Sequence, residues 1–315
     1  MQNKRVLIFI PEFPVRTETF IKREVSRLVE RGNYDIKVFS LKEGKGGVPE
    51  YLEDSIVYDQ LTVSDVLKSL SFLITDPVNV FNALKTVGLG HIYTFIKGMG
   101  FAHKFEKHKP DIIYAHFYSE PSSIALVASI ILDTEFAIAA HARDILEYPD
   151  LPVVKAKKAK FVAICNDNAY KEVIRLSGKE NPENIKLIYH GLNPKDLEIG
   201  EEIEKAQPPL ILCIARYVKK KGLTYLIEAA EKLKEDGIEF RIKIAGGGPL
   251  HETLQERIDE LGVSDEVELL GEISFENVKR LYYRSTIYAQ PSINAESGDA
   301  DGIPNTLIES SMLKI

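Results

Sequence analysis

The sequence predicts an α/β chain built as two Rossmann-like, doubly wound domains. Three observations predict it. Short, continuous apolar runs at 6–10, 136–140 and 210–215 read as strands buried on both faces of parallel sheets. Amphipathic stretches alternate with these runs, which is the order of βαβ units. A polar stretch without hydrophobic period, 194–209, divides a length of 315 residues that suits two domains. The expected division is 1–195, a linker at 196–208, and a second domain at 209–315.

Composition narrows the function. An apolar content of 44% and a charged content of 28% are ordinary for a globular protein. No apolar run approaches the length of about eighteen residues that spans a bilayer. The opening residues 1–10 show no cleavage pattern and read as a first strand. Cys165 and Cys213 both lie in apolar runs, so buried free thiols in a reducing, cytoplasmic compartment are expected. The net charge of −7 comes from residues 201–315, because Lys/Arg and Asp/Glu balance before them. Nucleic-acid binding needs a basic footprint that this chain lacks.

In the first half, the strand at 6–10 leads through a Pro-containing loop to a helix from about 18 to 31. Thr17 is the expected cap, and Phe20, Val25, Leu28 and Val29 form the apolar stripe. No Gly-x-Gly-x-x-Gly follows this strand, which disfavours nicotinamide and flavin enzymes. Residues 61–108 read as two or three amphipathic helices broken at Pro77, Gly88 and Gly90. Their apolar faces have two readings. Either they cover the sheet, or they meet a lipid-linked acceptor or the inner leaflet, aided by Lys104, Lys107 and Lys109. The strands at 111–117 and 136–140 end at His116 and His141, where open α/β sheets place ligands. The four lysines of 155–160 read as a solvated helix end.

In the second half, the strand at 210–215 runs into the basic loop 216–222 and then a helix. That arrangement suits a diphosphate: Arg216 offers a planar fork, Lys221 a point charge, and helix amides their dipoles. Lys219 and Lys220 read as a solvated run. Gly246, Gly247 and Gly248 either admit a ligand close to the backbone or make a tight turn before a helix with Pro249 at its first position. Ser274 is the expected cap of the next helix. The last strand, at 287–290, gives way to a Gly/Asp/Asn/Pro loop and a helix carrying Glu309. Seven residues separate Asp301 from Glu309, so two acceptor-only groups can grip two hydroxyl clusters of one ligand. No His or Cys lies nearby to suggest a metal.

The pair Asp301/Glu309 resembles the Glu-x7-Glu signature of retaining glycosyltransferases of the GT-B fold, family 4, in a polysaccharide-assembly subgroup. Further motifs follow in the family's order. Thr17-Glu18-Thr19-Phe20 is similar to its entry loop, and His116 and Ala140-His141-x-x-Asp144-Ile145 to its histidine elements. His190-Gly191-Leu192-Asn193 is similar to its hinge, Arg216…Lys221-Gly222 to its diphosphate motif, and Gly246-x-Gly248-Pro249 to its glycine loop. The departures include Thr17 for Ser, Leu192 for Val, Asn193 for Asp, Ala215 for Gly and Asp301 for Glu. The resemblance implies two domains facing across a cleft and transfer from a UDP-, GDP- or ADP-sugar, with retention and without cofactor or metal.

The same resemblance implies roles. His141 contacts the donor sugar, and Arg216 and Lys221 stabilise the leaving diphosphate. Asp301 holds sugar hydroxyls and Glu309 the ribose. Thr17, Gly246, Gly248, Glu272, Gly302, Ile303 and Asn305 complete the donor site, with backbone near Glu272 reading the base. His116 and Asp144 lie on the acceptor side, where a glycan or lipid-linked acceptor enters. The family pattern continues beyond residue 315, so an incomplete second domain exposing Leu307 and Ile308 is expected. A truncated, inactive nucleotide-sugar-binding fragment and a nucleotide-sugar epimerase are the alternatives.

Overall fold

The structure is a computed structural model that describes residues 3–16, 18–141, 144–145, 149–178, 182–296 and 303–315. It divides into two compact units, Met1–Tyr189 and His190–Ile315. The first is built on a sheet of β1 (Lys4–Phe13), β2 (Tyr34–Glu43), β3 (Ile56–Tyr58), β4 (Ile112–His116), β5 (Glu135–Ala140), β6 (Phe161–Ile164) and β7 (Ile185–Leu187). Their order is β3-β2-β1-β4-β5-β6-β7, and every ladder is parallel. Side chains alternate across β1 as its uninterrupted apolar run requires. Leu7 and Phe9 enter one core with Phe39, Phe101 and Phe105, while Ile8 and Ile10 enter the other with Ile21 and Val25. The chain reverses direction of winding between β1 and β4, so the crevice above their carboxyl ends is the first switch point.

Residues 61–108 form helices Val63–Ser69, Phe72–Thr75, Pro77–Val87 and Ile92–Glu106. Their apolar residues divide between a buried and an exposed set. Phe72, Val80, Phe95 and Phe101 are buried on the sheet, whereas Val63, Leu67, Ile74, Val78, Phe81, Leu89 and Tyr93 are exposed. Lys104 does not join that outer face. It is buried, with Nζ 2.7 Å from Asp59 and 3.0 Å from Asp65, because an ammonium inside a helical layer needs carboxylates beside it. Burial pushes the Asp65 carboxyl up, but hydrogen bonds from Thr62 and Lys104 outweigh it and hold the group well below the usual carboxylate range.

The second unit holds β8 (Leu210–Ile214), β9 (Arg241–Ala245), β10 (Val267–Gly271) and β11 (Ile287–Tyr288), in the parallel order β10-β9-β8-β11. Its switch point lies between β8 and β11. Ser274 caps helix Phe275–Arg284 by accepting from the Asn277 amide. Pro249 stands outside helix His251–Glu260, whose N-cap is Leu250. The stretch expected to be a linker is packed on this unit. Leu197 is buried, the Ala206 amide donates to the Arg284 carbonyl at 2.9 Å, and Lys205 Nζ donates to the Ser285 carbonyl at 2.6 Å. Side-chain and backbone hydrogen bonds, invisible to a hydrophobic period, fix it. Leu307 and Ile287 are exposed.

Candidate functional site

Each switch point collects part of the candidate set. In the first unit, β4 ends at His116 and β5 runs into His141, and adjacency of the two strands stacks the rings. Their centroids are 5.6 Å apart at 19°, with His116 Nδ1 3.4 Å from His141 Nε2. Phe20 and Phe117 close on His141 at 4.7 and 5.2 Å. Both histidines are buried. Burial lowers the His116 pKa, opposed by the charge of Glu24, so the ring is neutral near pH 7.

Asp144 ties the two strand ends together. Its carboxylate accepts from the His141 amide at 3.0 Å and from the Tyr118 amide. Burial pushes its pKa up to about 6, against those backbone hydrogen bonds and the charge of Lys155. Lys155 itself overturns the solvated-end reading. It is fully buried, and Nζ donates to the Tyr118 carbonyl (2.6 Å), the Ser119 carbonyl (3.1 Å) and Ser122 Oγ (3.0 Å). The other lysines of that run, at 157, 158 and 160, show nothing of the kind. In 155-Lys-Ala-Lys-Lys-Ala-Lys, the packing of the helix turns Lys155 inward and leaves the other three exposed.

In the second unit, the loops after β8 and β9 are zipped together. The Ala215 amide donates to the Ala245 carbonyl and the Tyr217 amide to the Gly247 carbonyl, both at 2.9 Å. Tyr217, a residue the sequence reading passed over, is buried, and its hydroxyl donates to the Ile244 carbonyl at 2.8 Å. Arg216 sits between these two anchored residues and is exposed, so its backbone is fixed while its guanidinium faces solvent. The glycines serve this zip. A Cβ on Gly246 (φ +142°) would lie 2.0 Å from the Ala215 carbonyl oxygen, and one on Gly248 (φ +152°) 2.7 Å from that of Tyr217. Close approach of protein backbone is thus sufficient to require them. Glu272 lies over the same loop, its Oε1 3.2 Å from a Cβ placed on Gly247.

β11 brings the remaining candidates to the same edge. The Ile293 amide donates to the Lys220 carbonyl at 2.8 Å. Tyr288 OH donates to the Ile214 carbonyl at 3.3 Å, and Thr306 Oγ1 lies 3.4 Å from Gln290 Oε1. Thr306 Oγ1 is also 3.5 Å from the Ile214 carbonyl, so helix Asn305–Met312 begins at the end of β8, with Asn305 in its first position and Ile303 exposed just ahead of it. Glu309 is buried one turn in, where Oε2 accepts from Tyr282 OH at 2.9 Å. Lys221 is half-buried; Lys220, expected in solvent, is buried, while Lys219 is exposed. Thr17, Asp301 and Gly302 lie outside the described residues.

Residues 194–315 match the family described as glycosyl transferases group 1. The match lies within the second unit, His190–Ile315. The putative colanic acid biosynthesis glycosyltransferase WcaL of Escherichia coli (strain K12) is 38% identical over 104 residues, 33% of this chain and 26% of its own. The amylovoran biosynthesis glycosyltransferase AmsK of Erwinia amylovora is 25% identical over 335 residues, which covers 97% of this chain and 79% of its own. The match thus spans about a quarter of the first relative and about four fifths of the second. The crystal structure of Anabaena Alr3699/HepE in complex with UDP superimposes with a TM-score of 0.66 at 16% identity, over 98% of this chain and 78% of the other. Both units have the α/β, parallel-sheet architecture of GT-B glycosyltransferases. Among the described residues, no helix is long and apolar enough to cross a membrane.

Proposed function

We propose that this chain is a retaining glycosyltransferase of family 4. It moves a sugar from a nucleoside diphosphate sugar to a glycan or lipid-linked acceptor during polysaccharide assembly at the cytoplasmic face of a membrane. One observation carries the reading. In the second unit, an anchored backbone carries Arg216 and Lys221 on the loop that leaves β8, and helix Asn305–Met312 begins at the end of that strand, with Thr306 Oγ1 3.5 Å from the Ile214 carbonyl. A diphosphate meets there a planar fork, a point charge and helix amides. Arg216 and Lys221 hold it and stabilise the charge that develops as it leaves. Glu309, oriented by Tyr282, accepts from ribose hydroxyls, and Asp301 accepts from the sugar. His141 and the Asp144-braced strand ends serve the sugar and acceptor side. The relatives' names, which are those of colanic acid and amylovoran biosynthesis, support the pathway class.

Calorimetric titration with UDP, GDP and ADP tests this reading. One of them binds the wild type, and Lys221→Ala weakens that binding about tenfold or more, as loss of one charge-assisted hydrogen bond requires. Unchanged affinity in the variant removes the diphosphate assignment. Incubation with labelled nucleotide sugars separates transfer from epimerisation. A transferase releases nucleotide in step with acceptor glycosylation, whereas an epimerase releases it with no acceptor present. The exposed apolar side chains from Val63 to Ile96 supply the contact with an inner leaflet.

A further inference from the structure

The turn between β4 and helix Glu120–Ile131 is conformationally costly, and its restraints come from outside it. Phe117 sits at φ +74°, a left-handed conformation that a bulky side chain adopts only when its surroundings impose it. Its amide donates to the Ala139 carbonyl at 2.8 Å. The next residue, Tyr118, is held at every polar group by two other segments. Its amide goes to Asp144, its carbonyl accepts from Lys155, and its hydroxyl donates to the Pro152 carbonyl at 2.8 Å.

His116 needs that turn. Its Nε2 is buried without a hydrogen-bond partner among the described residues, so no donor or acceptor fixes the ring there. What fixes it is the backbone that carries it, together with the stack on His141 and the Tyr114 ring 5.3 Å away. Lys155 is an expensive way to pack a helix, because taking an ammonium out of water costs several kcal/mol unless it is fully matched. Here it is matched: an ammonium has three protons, and the Tyr118 carbonyl, the Ser119 carbonyl and Ser122 Oγ take them. All three acceptors belong to the turn and the first turn of the helix it feeds. An apolar side chain would fill the same volume and restrain none of them.

We infer that Lys155 is a positioning residue. With Asp144 it clamps Tyr118 from its carbonyl and amide sides, and so holds the strained turn that presents His116 and Phe117 against His141. Its importance for transfer rests on the function proposed above; the clamp itself does not.

The test is histidine-selective NMR on the full chain. In Lys155→Met the imidazole signals of His116 and His141 both shift, while that of His108, at the opposite end of β4, stays in place. Ser122→Ala, which removes one of the three acceptors and keeps the cation, shifts the same two signals by less. If Lys155→Met does not fold, Ser122→Ala carries the test alone. Unmoved His116 and His141 signals in a folded variant overturn the clamp, and with normal UDP binding they leave the transferase reading standing. Shifted signals in a protein that binds no nucleoside diphosphate do the reverse.

Discussion

The two switch points of this chain are built from the same topology by opposite means. In the first unit, ionisable groups are inside and shape the backbone. Asp144 and Lys155 are buried and bond main-chain groups, and the histidines they brace are shielded from water. In the second unit, main-chain hydrogen bonds and glycines shape the backbone, and Arg216 and Lys219 are left at the surface. A buried charge is a strong, directional restraint, but it is expensive. A backbone zip fixes the loop without a buried charge. The difference fits the roles proposed above, a first unit that orients neutral hydroxyl-bearing groups and a second that meets a diphosphate.

The comparison breaks most readily at the zip. Gly246→Ala forces a methyl to within 2.0 Å of the Ala215 carbonyl oxygen at φ +142°, and it destabilises by about 3 kcal/mol or more, read as a fall in the urea midpoint. Gly237→Ala is the control. Its φ of +69° is also positive but nothing lies within 4 Å, so it costs only about 1 kcal/mol of backbone strain. Equal effects would mean that conformation alone, and no close approach, sets the glycine at 246.

A pH series sharpens the other side. Burial pulls the Lys155 pKa down to about 7, opposed by Asp150 and Asp144. From about pH 7 toward the unfolded value of 10.5, the unfolded lysine keeps a proton that the folded one has lost, so stability rises with pH across that window. Below pH 7 both states are protonated and the contribution is flat. Asp144, raised to about 6, acts the other way at lower pH. Its folded carboxyl keeps a proton that the unfolded one loses, so stability falls from about pH 4 to 6. Denaturation at pH 7 and 9 shows the alkaline gain in the wild type and its loss in Lys155→Met. An identical gain in both assigns it to another group.

The smallest effect on folding belongs to the outer face of the first unit. Ile74→Asp with Phe81→Asp replaces two exposed side chains, so stability changes by no more than about 0.5 kcal/mol per site. Flotation with anionic vesicles then loses the bound fraction. Undiminished binding would remove this face as the membrane contact.

Much of this molecule is legible in the residues alone. Unbroken apolar runs at 6–10 and 210–215 specify strands buried on both faces, and the cap Ser274 marks a helix start. The polar motifs at 116, 141, 216 and 309 announce themselves because each ends a strand or opens a helix, where a chemist looks for ligands. Periodicity and residue type are local properties, so the sequence carries them openly. Tertiary structure alone decided the rest. It turned one lysine of the run 155–160 inward, buried Lys104 against Asp59 and Asp65, and tied the expected linker to the Ser285 and Arg284 carbonyls. It also gave the glycines at 246 and 248 a protein backbone to approach. Each of these depends on which distant carbonyl or carboxylate lies within about 3 Å, the range over which a hydrogen bond acts. No spacing along a chain encodes that.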